Sequence, residues 1–295
     1  MKMISVKEYA ALHGLAERTV RNYCATGKIK GAELIGKSWV LPIDAPVPLR
    51  SNARLKVSML LKALIEQKDS KIRGGIYHRV QIDLTYNSNH IEGSRLTKEQ
   101  TRYIFETNTI GITEEVLRID DIIEAKNHFR CIDYVIDHAT EPLTEGMIKE
   151  LHYLLKSGTT DAAKSWFAVG DYKRLPNEVG GMETVMPESV GKEMRTLLKM
   201  YKSKKPISFD DLLDFHYRFE SIHPFQDGNG RVGRLLLFKE CLRAGIVPFI
   251  ITDDLKMYYY RGLHEWKHLP GFLRDTCLTA QDNFKAILDY FRIKE

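Results

Sequence analysis

With 295 residues, 43% of them hydrophobic and 28% charged, the chain has ample apolar material for a core and no Gly/Pro excess or low-complexity run. A formal net charge of +5 is too small to make the whole surface a nucleic-acid binder, so any anion site has to be local. The cysteines Cys24, Cys131, Cys241 and Cys277 form no CxxC pair and read as buried reduced thiols, not a zinc or redox centre. The amino-terminal MKMISVKEYAALHG lacks the apolar core of a secretory signal, and no apolar run approaches the ~20 residues that span a bilayer. A cytoplasmic protein without membrane association is expected.

In chain order, Ser5-Val-Lys-Glu8 has the form of a capping box and predicts a short helix ending at Gly14. A second helix is predicted over Ala16 to Thr26, closed by Gly27, with Arg18, Arg21 and Asn22 on it. Ile29 to Pro42 then reads as two short strands around Gly36-Lys37. Two helices around a glycine turn, followed by a hairpin, resemble the winged helix-turn-helix of the excisionase and MerR-like type. Arg18, Arg21 and Asn22 are the candidate DNA contacts, and docking to a protein is the competing role for so small a module. Pro42, Pro46 and Pro48 stiffen the exit and mark a domain boundary. The expected domains are 1–48 for this module, 49–120 for a helical region, and 121–295 for the main body.

From about Leu55 the apolar residues recur three and four apart, as in Val57, Leu60, Leu61, Leu64 and Ile65, which predicts helix. A helix from near His78 is broken at Gly93-Ser94. Further helices are predicted around Ile122 to Ile136, Met147 to Leu155, Val190 to Tyr201, Asp211 to Glu220, Arg231 to Leu242 and Phe284 to Phe291. The expected fold is therefore mainly α. The interruption DYKRLPNEVGGMETVMP, Asp171 to Pro187, combines Gly180-Gly181 with β-forming residues and predicts a hairpin or flap.

The stretch HPFQDGNGRVGR, His223 to Arg234, carries the chemistry. Pro224 takes His223 out of helical geometry, Asp227-Gly-Asn-Gly230 forms a tight turn, and Arg231 opens a new apolar helix. A glycine-rich turn feeding a helix amino terminus presents unpaired N–H groups to an anion. Arg231 and Arg234 can reach one polyphosphate, and Asp227 suits a Mg²⁺ bridging its oxygens. His223, with an ordinary pKa near 6.5, suits proton removal from an attacking hydroxyl. A plain hairpin turn is excluded because a helix follows, a calcium loop because Phe238 stands where its Glu belongs, and a Walker loop because no Gly-Lys-Ser/Thr follows.

These residues resemble the Fic-family motif HxFx(D/E)GNGRxxR, and the similarity extends over roughly Leu55 to Ile293. The resemblance implies a Fic-type helical bundle that transfers AMP from ATP to a Ser, Thr or Tyr hydroxyl of a protein target, the chain itself included. It implies His223 as base, Asp227 as Mg²⁺ ligand, Gly228, Asn229 and Gly230 as anion hole, and Arg231 and Arg234 on the ATP phosphates. Glu183, Thr184 and Val185 of the flap would hold an extended target segment by strand-like pairing. Ser88-Asn-His-Ile-Glu-Gly93 resembles the family's inhibitory motif (S/T)xxxE(G/N), with Ser88, Glu92 and Gly93 matching and Glu92 expected to pair with Arg234. Alternatives left open are removal of AMP by the same site and a DNA-binding regulator whose Fic-like body senses nucleotide. Related sites also move UMP or phosphocholine, or act as kinases. Self-association is left open as well.

Overall fold

The computed structural model describes residues 3–25, 27–36, 38–47, 58–111 and 116–294. Thr26, Lys37, Pro48, Leu55 and Val57, used in the sequence predictions, lie outside the described residues. The chain divides into two compact units, Met1–Leu55 and Lys56–Glu295.

The first unit contains β1 (Met3–Ser5), α1 (Val6–Leu12), α2 (Glu17–Ala25), β2 (Glu33–Ile35) and β3 (Ser38–Pro42). Ser5 caps α1, its Oγ accepting from Glu8 N at 3.3 Å while Glu8 Oε2 accepts from Ser5 N at 2.8 Å. At Gly14 the φ of 61° turns the chain from α1 toward α2. Strand β3 is central, pairing antiparallel with β1 (Ile4↔Leu41) and with β2 (Leu34↔Trp39). The predicted hairpin corresponds to β2 and β3. Strand β1 is too short to show a two-residue period and is not legible in sequence. Val6, Tyr9, Val20 and Leu41 form the core, and Tyr9 Oη donates to Ala45 O at 2.9 Å.

The second unit is helical: α3 (Met59–Asp69), α4 (Ile76–Ile91), α5 (Lys98–Thr107), α6 (Ile119–Asp137), α7 (Glu145–Lys156), α8 (Pro187–Ser203), α9 (Phe209–Ile222), α10 (Asn229–Ala244), α11 (Lys256–Glu265) and α12 (Gly271–Tyr290). Between α7 and α8 lies a two-stranded hairpin, β4 (Glu178–Val179) with β5 (Met182–Glu183). Helix α10 packs against α4, α6, α7 and α9, and every residue from Arg231 to Leu242 is buried. A helix covered on all sides loses its amphipathic stripe, and its polar residues must find partners inside the protein. Lys239 Nζ thus meets Glu240 Oε1 at 2.7 Å, and Glu240 Oε2 accepts from Tyr201 Oη at 2.8 Å.

The structure departs from sequence expectation at several ends. Helix α10 begins at Asn229 rather than Arg231, and α4 at Ile76 rather than His78. Pro187 is the first residue of α8 rather than the close of the flap, a position where its missing N–H costs nothing. Helices α5 and α11, with few buried residues, carry too little apolar periodicity to be read. All four cysteines are buried and unpaired.

Helices α11 and α12 approach each other at Gly262, where an added Cβ would lie 2.6 Å from Leu273 Cα and 2.7 Å from its N. Gly262→Ala is expected to destabilise the protein by about 1–3 kcal/mol through overpacking, seen as a lower urea midpoint at unchanged slope. Gly271→Ala, whose Cβ meets nothing within 4 Å, should leave that midpoint within about 0.5 kcal/mol.

Candidate active site

Helix α9 ends at His223, held at φ 51°, ψ 62°, its N–H donating to Phe219 O at 3.0 Å. This left-handed conformation is uncommon for a residue with a Cβ, and the following proline disfavours the helical alternative. The loop is then closed by two side chains. Phe225, fully buried, stacks on His152 with ring centroids 4.0 Å apart. Asn229 Oδ1 accepts from Phe225 N and Asn229 Nδ2 donates to Phe225 O, both at 2.8 Å. Gly228, with φ 83°, makes the entry into α10. The first N–H groups of α10 and the positive end of its dipole therefore face the concave side of a fixed loop.

His152 supplies a further pin. Its Nδ1 accepts from Gly170 N at 2.9 Å, which leaves Nε2–H to donate to Asp227 O at 3.1 Å. That tautomer is neutral, and burial pushes its pKa down to about 3.

Both arginines of the loop are buried and already paired. Arg234 Nη2 donates to Glu92 Oε1 at 2.7 Å and to Ser88 O at 2.9 Å, while its Nε donates to Ser88 Oγ at 3.0 Å. Glu92 caps the carboxyl end of α4, and Gly93 (φ 91°) turns the chain away. An added Cβ at Gly230 would lie 2.3 Å from Glu92 Oε1, so the Glu92 carboxylate stands directly over the glycine turn. Arg231 is bonded to Glu124 and, at 3.1 Å, to Asp227 Oδ2. The same Asp227 oxygen takes Lys156 Nζ at 2.6 Å.

These pairings set the ionisation of the site. Desolvation opposes the charge on Arg234, but Glu92 outweighs it and holds the guanidinium firmly protonated. Desolvation likewise works against the Asp227 carboxylate, and Arg231 with Lys156 overrides it, so its pKa lies well below the usual range. Burial, reinforced by the Lys173 ammonium, pushes His223 down to about 4, leaving it neutral at physiological pH. Burial also pushes Glu220 up to about 8, with Arg234 opposing and Glu92 adding to the rise.

The structure thus brings His223, Asp227, Gly228, Asn229, Gly230, Arg231, Arg234, Ser88, Glu92 and Gly93 to one place. The flap lies alongside: Lys173 N donates to Pro224 O at 2.9 Å, and Asn177 Nδ2 donates to Phe225 O at 3.1 Å. Glu183 ends β5, while Thr184 and Val185 follow it; Thr184 Oγ1 donates to Asn177 O at 2.8 Å and meets Lys173 Nζ at 2.5 Å. Arg18, Arg21 and Asn22 fall on α2 of the other unit, Arg21 paired with Glu17 at 2.7 Å. Sequence reasoning missed Glu124, His152, Lys156, Lys173 and Glu220. Lys156 meets partners 32 and 71 residues away, so no local spacing could have found it. Among the described residues no cluster of three or more His, Cys, Asp or Glu could hold a metal ion. Asp227, whose Oδ2 is shared by Lys156 and Arg231, has a second carboxylate oxygen for a Mg²⁺ that completes its shell with phosphate and water.

Residues 142–240 match the profile of the Fic/DOC family. Protein adenylyltransferase Fic of Nematostella vectensis is 29% identical over 210 residues, covering 69% of this chain and 48% of the relative. Protein adenylyltransferase fic-1 of Caenorhabditis elegans is 26% identical over 183 residues, covering 61% and 35%. The chain therefore spans half or less of these relatives. The crystal structure of a Fic domain containing signaling protein from Bacteroides thetaiotaomicron shares 27% identity at a TM-score of 0.56, covering 78% of this chain and 90% of that one. Among the described residues no helix is long and apolar enough to cross a membrane.

The buried titratable groups predict an acid-sensitive fold. His128, His152 and His216 are each pushed down to about 3 by burial. Their contribution to stability is complete above their unfolded pKa of about 6.5 and is lost as pH falls toward the folded values. Glu220 has the opposite sign, because its folded pKa of about 8 exceeds the unfolded one, and it loses its contribution as pH rises. With His223, itself pushed down to about 4, four histidines outweigh one glutamate, so stability rises with pH between ~4.5 and ~6.5. Urea unfolding across this range should show stability climbing to a maximum near pH 6.5; a flat profile would contradict the neutral buried histidines.

Proposed function

We propose that the chain is a protein adenylyltransferase that moves AMP from Mg-ATP to a Ser, Thr or Tyr hydroxyl of a target protein, and that Glu92 holds it off. The observation that carries this reading is the Arg234–Glu92 pair at 2.7 Å, over the turn that ends in α10. His223, neutral and fixed at the end of α9, takes the proton of the target hydroxyl as its oxygen attacks the α-phosphorus. The bond to the β-phosphate oxygen breaks and pyrophosphate leaves. Backbone N–H groups of Gly228, Asn229 and Gly230 stabilise the developing phosphoryl charge, the Asn229 side chain being engaged with Phe225. Arg231 and Arg234 hold the outer phosphates. Mg²⁺ bound at Asp227 would neutralise the phosphate oxygens. Glu183, Thr184 and Val185 pair with an extended target segment along the flap, whose edge is exposed at β5.

Glu92 and the terminal phosphate compete for Arg234. An arginine engaged by a carboxylate leaves the nucleotide in an unproductive pose, and releasing that carboxylate restores the clamp. The relatives named protein adenylyltransferase support the same reading. One feature also favours the reverse reaction: the Glu92 carboxylate stands against Gly230, where it could orient a water at a bound phosphoryl group. Release of AMP from an AMP-modified protein by the unmutated chain, lost in Glu92→Gly, would identify that activity.

Glu92→Gly should raise self-modification by labelled ATP with Mg²⁺ about 10- to 100-fold, the range of one charge-assisted hydrogen bond. Labelling unchanged in a folded variant would remove the brake. His223→Ala should cut transfer in the Glu92→Gly background by about 10²–10⁴-fold while ATP still binds. Undiminished turnover there would remove His223 as the base.

A further inference from the structure

Lys156, the last residue of α7, is 2% exposed. Its ammonium lies 2.6 Å from Asp227 Oδ2, 2.6 Å from Glu124 Oε1 and 3.2 Å from Asp161 Oδ2, and 5.5 Å from the centroid of the Phe167 ring. Glu124 divides its two oxygens between Lys156 and Arg231. Asp227 Oδ2 accepts from both Lys156 and Arg231, so the carboxylate assigned above to Mg²⁺ already carries two protein cations. Mg²⁺ binds a carboxylate oxygen at about 2.0–2.1 Å, and cations already in contact with the same carboxylate repel it.

We propose that Lys156 is a built-in competitor for the metal, its ammonium occupying the cation position at Asp227 until metal and nucleotide arrive together. This inference rests on the reading of Asp227 as the metal carboxylate. When the metal binds, Lys156 remains held by Glu124 and Asp161, the carboxylates that already share it. Bare metal has to overcome the ammonium unaided, whereas metal with nucleotide brings the phosphate charge that offsets it. Lys156 is thus a positioning residue that couples metal entry to nucleotide entry.

The test is titration of the full chain with Mn²⁺ alone, reading free Mn²⁺ by electron paramagnetic resonance. Lys156→Met should tighten Mn²⁺ binding at least about tenfold, because a unit charge a few ångströms from a divalent ion is removed. Lys156→Arg, which keeps the charge, should stay near the unmutated value. Adding Asp227→Asn to Lys156→Met should abolish the gain. If Lys156→Met binds no more tightly while Asp227→Asn weakens the unmutated protein, the competitor role fails and the metal assignment stands. If the gain survives Asp227→Asn, the metal assignment fails as well. Lys156→Gln removes the charge but keeps hydrogen-bonding capacity, and takes the place of Lys156→Met should thermal melting show that variant unfolded.

Discussion

A guanidinium buried in a helical core must meet a negative charge. Arg234 lies on the most enclosed helix of the molecule, and taking its charge out of water costs several kcal/mol unless an anion and hydrogen bonds compensate. Glu92 and the Ser88 oxygens provide that compensation across 142 and 146 residues of sequence. Any other state of the site has to offer Arg234 an equivalent partner. A phosphate meets this requirement, as does a carboxylate, and the proposed brake follows from that equivalence. The helix that buries Arg234 also directs its amino terminus at the loop, so one element carries both the guanidinium and the unpaired N–H groups beside it.

The remaining charges follow the same rule. Asp227, Glu124, Arg231 and Lys156, with Asp161 as a further partner of Lys156, form a group in which each ion has opposite partners within hydrogen-bonding distance. Such a group holds the loop in its geometry, because moving one member exposes another unpaired. His152 and Phe225 add a stacked, neutral support beneath the same turn. His223 differs in making no ion pair among the described residues: desolvated and near Lys173, it stays neutral, the form in which an imidazole can accept a proton.

The loop from His223 to Arg234 was legible in sequence because proline, glycine and a following apolar helix each constrain the backbone locally, and these fixed positions are contiguous. Glu92 was legible only beside that loop, since Ser88 and Glu92 four apart would otherwise read as a solvated helix face. Arg231 and Arg234 are legible as the cations of the loop, but the carboxylates that engage them, Glu124 and Glu92, come from distant parts of the chain. Those partners, like Lys156 and His152, are joined by tertiary packing and leave no periodic trace. The larger helices were readable from their apolar spacing, whereas α5 and α11 were not because they bury too little. The two-residue strands of the flap were suggested by Gly180-Gly181, a turn that needs positive φ at both positions, as found at 56° and 76°.

The partner of Arg234 is the most direct thing to observe. A crystal structure of the Glu92→Gly protein with a non-hydrolysable ATP analogue is predicted to show Arg234 on the terminal phosphate. The α-phosphorus should then face the space beside His223, open to in-line attack. Arg234 still bound only to Ser88, with the phosphates held elsewhere, would contradict the competition between Glu92 and nucleotide.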